Sequence, residues 1–248
     1  MRRRRPGHGH ARRAAPLSVL LVAGLGQGGW VWREVATRLA PRELVTYDNR
    51  GTGDAPGPAR STVAELADDA AEAAGGPADV VGLSMGGYVA LTLALARPEL
   101  VRSLVLVGTG AGGPDRVPRA EDVRAVFREA FALGPEEYVR RTFPLTVRAG
   151  RLDALLDENV ARAAPHRTTA AHTRACLGFY ADGAEVERIV VPALVVHGSD
   201  DRIVPVENGR RLAARLPAAD YVELPGYGHD LAQEAPDELA ALIDAFLS

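Results

Sequence analysis

No lysine occurs in this chain of 248 residues; all 29 basic side chains are arginine. That absence excludes a Schiff-base lysine, and with it conventional pyridoxal phosphate chemistry, and it excludes the lysine of a phosphate-binding P-loop. Cysteine is nearly as scarce. Cys176 stands alone, so no disulfide forms within the chain, and a reducing compartment, the cytoplasm, is the expected location. Long hydrophobic runs are missing too: none approaches the roughly 20 apolar residues of a membrane span.

The net charge of −3 hides an asymmetry. Six arginines fall in the first thirteen residues, and beyond them 23 arginines face 32 carboxylates, a balance of −9. An acidic body argues against a nucleic-acid surface. Residues 1–16, "MRRRRPGHGHARRAAP", are expected to be a solvated basic arm. A signal peptide with "LSVLLVAGLG" as its apolar region is the rival reading. Against it, the run is short, glycines interrupt it, and cleavage would remove a strand the fold needs. His8 and His10 are read as solvated, because no cysteine or carboxylate cluster accompanies them. No metal site is expected.

What is present is the composition of an ordinary globular protein, 47% hydrophobic and 25% charged, long enough for one sizeable core. β-branched runs alternate with helical ones: "LSVLLV", Trp30 to Leu39, "ELVTY", Val63 to Ala74, "ADVVGL", Met85 to Ala96, "VRSLVLV". Such alternation predicts parallel strands covered by helices, an α/β sheet. Between about Ala111 and Glu187 strand signals stop. Val123, Val126, Phe127, Ala130 and Phe131 keep helical spacing there, and further helical stretches follow near 136–143, 152–163 and 168–179. "PALVVHG", a helix near 207–216, "DYVEL" and a last helix striped by Leu239, Leu242, Ile243, Phe246 and Leu247 resume the pattern. The expected organisation is therefore an arm over 1–16, a core formed by 17–110 with 188–248, and a helical lid over 111–187.

Three motifs carry chemistry. "VAGLGQGGWVW" holds Gly24, Gly26 and Gly29 in the spacing of a dinucleotide-binding turn, with Asp48 about where a ribose ligand would stand. "VVGLSMGGYVAL" holds Gly82, Ser84 and Gly86 as G-x-S-x-G between a strand and a helix, the turn that lifts a strained serine above a sheet edge; a helix N-cap is the plainer reading of the same serine. "VVHGSDDRIVP" and "LPGYGHDLAQEAP" then place Asp200, Asp201 and His229 after successive strands. Ser84, Asp201, His229 is the chain order that a serine elbow calls for.

With "GLGQGGWVW", "YDNRGTGD", "GLSMGG", "HGSDDRIVP" and "GYGHDLAQEAPDELAALIDAFL", residues 17 to 248 resemble the α/β-hydrolase fold family, in its lidded serine esterase, enol-lactonase and haloperoxidase-like branch. The resemblance implies a mostly parallel sheet of about six to eight strands flanked by helices. It implies Ser84 as nucleophile, His229 as base and Asp201 as the carboxylate that orients the histidine. It further implies an oxyanion hole from the backbone N–H groups of Leu25 and Met85, which turns the glycine-rich stretch into an oxyanion loop and Asp48 into part of a loop beside the site. Two features depart from the pattern. Ala23 stands where a histidine commonly precedes Gly24, and only the arginine-rich segment precedes the first strand where the family usually has an antiparallel pair.

The resulting expectation is hydrolysis of a small-molecule carboxylic ester or lactone through an acyl-enzyme, without cofactor or metal. A C–C bond hydrolase, a thioesterase and a catalytically inactive binding protein are the alternatives. Phe127, Phe131, Phe143, Leu145, Phe179 and Tyr180 in the lid suit an apolar or aromatic substrate, or simply pack the lid. His166 and His172, flanked by polar residues, are expected to be solvated, with substrate contact as the alternative.

Overall fold

The computed structural model describes residues 18–248; the expectations for the basic arm, His8 and His10 lie outside them. Six parallel strands form one sheet in the order β2-β1-β3-β4-β5-β6: β1 (Ser18–Val22), β2 (Glu43–Thr46), β3 (Ala78–Leu83), β4 (Val101–Val107), β5 (Ala193–Gly198) and β6 (Ala219–Leu224). Side chains alternate between the two faces, as the period of a strand requires. Leu20, Val22, Val80, Leu104, Leu106 and Val195 meet one helical layer, whereas Val19, Leu21, Val81, Leu83, Val105 and Val196 meet the other. Both rows are apolar because helices cover both faces, and this is why the strands read as continuous hydrophobic runs.

The first layer contains α2 (Val63–Ala74), α3 (Met85–Ala96) and α8 (Val206–Arg215); the second contains α1 (Arg33–Leu39), α9 (Leu231–Glu234) and α10 (Pro236–Phe246). α2 starts in a capping box, with Thr62 accepting from the Glu65 N–H while the Glu65 carboxylate accepts from the Thr62 N–H, and it ends at Gly75 with φ of 65°. The stretch from Trp30 opens as a 3-10 turn, Gly29–Trp32, before α1, which seats the fully buried Trp32 under the sheet. Pro236 separates α9 from α10, so the C-terminal apolar stripe begins a new helix there.

Between β4 and β5 the chain forms α4 (Glu121–Phe131), α5 (Pro135–Thr142), α6 (Ala149–Ala161) and α7 (His166–Asp182) and, among the described residues, no strand. α7 lies over α3, and Phe179 stacks on Tyr88 with ring centroids 4.5 Å apart. That cover explains why α3 is apolar nearly all round: it is buried by the sheet, by α2 and by α7.

The strand order turns back on itself after β2, so the connection leaving β1 runs one way along the sheet and the connection leaving β3 the other. Loops diverge at such a point and leave a crevice beyond the strand ends. The loops that follow β1 and β3 are the ones that hold Leu25 and Ser84.

Candidate active site

Ser84 joins β3 to α3 with φ of 55° and ψ of −116°, and it is the one non-glycine residue with positive φ among those described. Its backbone is held on both sides: Ser84 N–H donates to the Val107 carbonyl at 2.8 Å, and the Ser84 carbonyl accepts from Gly87 N–H and from the Thr109 hydroxyl at 2.9 Å each. Glycine is required on either side because a Cβ on Gly82 would collide with the Gly86 carbonyl, and one on Gly86 with the Val22 carbonyl. Ser84 occupies the N-cap position of α3, but its hydroxyl makes no capping bond to the helix. A strained residue persists only where its surroundings over-determine it, and such residues cluster at functional sites.

Asp201 and His229 come together 28 positions apart. His229 Nδ1 lies 2.7 Å from Asp201 Oδ2, and both side chains are buried. Asp201 Oδ1 accepts the Ile203 and Val204 N–H groups at 2.8 Å each, and His197 Nε2 stands 3.1 Å from Oδ2. Burial acts to raise the Asp201 pKa, but the neighbouring His229 charge and the imidazole hydrogen bonds outweigh it and hold the carboxyl well below the usual carboxylate range. Asp200, its neighbour, is exposed and accepts from the Ser199 hydroxyl.

The His229 ring packs against Gly108, where an added Cβ would sit 3.3 Å from Nδ1. Ser84 is bonded to Val107, one residue earlier. Serine and histidine thus stand at the same end of β4, although no Ser84–His229 hydrogen bond occurs among the described residues. The helical segment shares in this construction: the Thr146 carbonyl accepts both the His229 and the Asp230 N–H groups, at 2.8 and 2.9 Å.

The loop after β1 faces the serine; a Cβ on Gly24 would lie 3.6 Å from Ser84 Cβ. Asn49 Nδ2 donates to the Ala23 carbonyl at 3.3 Å and Gln27 N–H to the Gly24 carbonyl at 3.2 Å. Gln27 Nε2 reaches across 203 positions to Asp230 Oδ2 at 2.7 Å. Among the described residues the Leu25 and Met85 N–H groups, the latter at the start of α3, have no protein acceptor. Asp48 accepts Gly29 N–H and Asp54 N–H, one on each oxygen, so it ties the loop after β1 to the loop after β2.

Several residues of this region escape a motif-based reading. His197 is completely buried, and its Nε2 is 2.8 Å from the Val204 carbonyl as well as near Asp201; a histidine inside the apolar run "ALVVHG" was the available signal, since a buried imidazole needs partners. Asp230 has its pKa raised by burial, and its carboxylate gathers both Gln27 and Gln233. The expected solvation of His172 is corrected outright: its ring is 0% exposed and Gly26 N–H donates to Nδ1 at 3.2 Å. Its polar neighbours Thr168 and Thr169 are buried as well, because this end of α7 sits on loops of the core. His166 is half-buried, 4.8 Å from the Phe131 ring.

No group of three or more His, Cys, Asp or Glu placed to hold a metal ion occurs among the described residues. An open groove of about 370 Å³, lined by Arg116, Arg211 and Arg215, lies elsewhere; neither Ser84 nor His229 borders it. The Cys176 thiol is buried and pushed up to about 12 by desolvation.

The sequence profile of the Alpha/beta hydrolase family matches residues 19–242. The chain belongs to that family. Among relatives, it is 34% identical over 243 residues to a protein of Caulobacter vibrioides named carbamate hydrolase RutD, an alignment covering 92% of this chain and 89% of the relative. Among solved structures it is similar to a hydrolase from Pseudomonas aeruginosa, with a TM-score of 0.79 and 25% identity over 95% of this chain and 91% of that one. A thermophilic esterase matches with a TM-score of 0.73 and 27% identity, covering 92% of this chain and 88% of the other. The family fold accounts for the six parallel strands and the helices on both faces.

Proposed function

We propose that this family member is a serine hydrolase that cleaves a small-molecule carboxylic ester or lactone through an acyl-enzyme. The observation that carries the reading is the buried Asp201–His229 pair standing at the same strand end as the strained Ser84. His229 Nδ1, facing a carboxylate, carries its proton, which leaves Nε2 as the free base. It takes the Ser84 proton as Oγ attacks the carbonyl carbon, then returns that proton to the leaving alkoxide. Asp201 keeps the imidazole in this tautomer and stabilises the imidazolium. The Leu25 and Met85 N–H groups receive the oxyanion, with the α3 N-terminus adding its dipole. Water activated by the same histidine releases the acid and restores Ser84.

In this reading the α4–α7 segment is the lid, and its aromatic residues favour an apolar or aromatic acyl group. A carbamate is the second reading, supported by the 34% identical relative named carbamate hydrolase; the same serine would attack its carbonyl, and the intermediate would be a carbamoyl-enzyme. A hydrolysis screen across esters, lactones, carbamates, thioesters and vinylogous diketones, each repeated with Ser84→Ala, separates these. Ester or lactone turnover that vanishes in Ser84→Ala is the expected result. Turnover confined to thioesters or diketones, or undiminished in the variant, overturns the reading.

A further inference from the structure

Ala23, not a histidine, stands ahead of Gly24 in this chain, and the structure brings an imidazole to the same loop from the helical segment. His172, on α7, accepts the Gly26 N–H across 146 positions. Accepting at Nδ1 fixes the neutral ring with its proton on Nε2. That nitrogen is shut off from solvent and has no partner of hydrogen-bond geometry, with the Arg50 backbone beside it. α7 is seated here by more than the histidine: the Thr168 hydroxyl donates to the Gly51 carbonyl at 2.9 Å, and Ala164, just before α7, lies beside Gly26, 3.7 Å from where a Cβ would stand.

Peptide geometry says what the bond does. The C=O and N–H of a trans peptide point in opposite directions. Because the Gly24 carbonyl is turned toward Gln27 N–H, the Leu25 N–H of the same peptide plane is turned away from that hydrogen bond. The plane before it is pinned by Asn49 on the Ala23 carbonyl, and the plane after it, Leu25–Gly26, is pinned by His172. Three successive planes are thus held, the last by a side chain of the helical segment.

We propose that His172 is a positioning residue for the oxyanion loop, clasping Gly26 so that the Leu25 N–H is aimed correctly only while α7 is docked. The inference rests on the proposed serine-hydrolase reading and adds that a competent oxyanion hole is conditional on the segment that covers the site. His172 touches no reacting atom; it acts through Gly26. Outright loss of one oxyanion donor costs about 10²- to 10³-fold in turnover, so misaiming one is expected to cost roughly 10- to 100-fold.

The test compares His172→Leu, which removes the acceptor, with His172→Gln, whose side-chain carbonyl can accept the same N–H. Kinetics on p-nitrophenyl acetate, the affinity for a trifluoromethyl ketone transition-state analogue, and labelling of Ser84 by a fluorophosphonate are read together. Expected are a kcat roughly 10- to 100-fold lower in His172→Leu with little change in KM, a parallel loss of analogue affinity, and substantial recovery in His172→Gln. A folded His172→Leu with unchanged kcat, or a His172→Gln as impaired as His172→Leu, overturns the proposal while leaving the reading of Ser84 intact. Failure of the wild type to be labelled at Ser84 overturns both. If neither variant folds, the ¹⁵N spectrum of the histidine-labelled wild type decides: an unprotonated, hydrogen-bonded Nδ1 at His172 is required, and a protonated Nδ1 refutes the clasp.

Discussion

The two sides of the candidate site are built differently. On the Asp201–His229 side the carboxylate is fixed by the N–H groups of Ile203 and Val204, two and three positions away, and its histidine follows the very next strand. On the side of the proposed oxyanion loop, Gly24–Gln27 carries its own turn and is bonded as well to His172 and Asp230, 146 and 203 positions distant. The first side is built mostly from near neighbours, with the Thr146 carbonyl on His229 N–H as its distant support, and is recognisable for that reason; the second is bonded chiefly to residues far along the chain. The lesson is that a motif marks where chemistry stands, whereas its alignment can reside in residues that belong to no motif.

The sharpest break of the first side is Asp201→Asn. With the carboxylate replaced by an amide, His229 loses the partner that sets its tautomer, and turnover on an ester is expected to fall on the order of 10⁴-fold. Circular dichroism and a melting curve run beside the kinetics separate this from unfolding, since the Ile203 and Val204 N–H groups still find the amide oxygen. Retention of a tenth of wild-type activity would place the orienting carboxylate elsewhere.

How far the sequence was legible follows the same division. Alternating runs revealed the parallel strands, because strands buried on both faces must be apolar throughout. Ser84, Asp201 and His229 stand out as candidates because each follows a strand within a short motif. His172 was misread because its sequence neighbours are polar, and local polarity reports exposure only where no other element covers it. Thr146 offers its backbone carbonyl to the His229 loop, so its side chain carries no signal at all. Gln27 and Asp230 stood inside recognised motifs, yet nothing local indicated that their side chains meet.

The second expected effect concerns pH and probes the distant side. Burial lowers the His172 pKa from 6.5 to about 4. Between those values the unfolded chain binds a proton that the folded one refuses, so stability rises with pH there. The contribution is complete above about 6.5, declines as pH falls toward 4, and then levels off, a loss on the order of 3 kcal/mol. Asp230 and Glu234, whose pKa values burial raises, act with the opposite sign and gain stability on acidification. The difference between wild type and His172→Gln in urea midpoints isolates the histidine. A difference that stays constant from pH 7 to 4 would mean that His172 is protonated as readily in the folded protein as outside it.

Smaller again is the effect of Gln27→Leu, which deletes the second distant support while leaving the Gln27 N–H to bond Gly24. Asp230 Oδ2 keeps Gln233, so the carboxylate is not orphaned. The expected fall in kcat is about 3- to 30-fold, equivalent to roughly 0.7–2 kcal/mol, the scale of one lost hydrogen bond. Combining Gln27→Leu with His172→Leu is informative, because two clamps on one loop are expected to couple and depart from additivity. Strict additivity would indicate that the two hold different parts of the structure.

The smallest effect tests how narrowly the local side is defined. Asp200 and Asp201 are adjacent, and successive residues leaving a strand point in different directions. Asp201 is buried under His229, whereas Asp200 is exposed and bonded only to the Ser199 hydroxyl through its side chain. The Asp200 N–H still donates to the Tyr227 carbonyl at 2.9 Å whatever the side chain, so the loop that carries Asp201 keeps its anchor to the loop that carries His229. Asp200→Asn changes a screened surface charge and retains an acceptor for Ser199, and it is expected to reduce turnover less than tenfold, with stability within about 0.5 kcal/mol. Its measured ratio to Asp201→Asn on the same ester at pH 7 is the decisive quantity. A ratio near 10³ or above assigns the imidazole to Asp201 alone, and a ratio near one would show that the two carboxylates exchange places in the working enzyme.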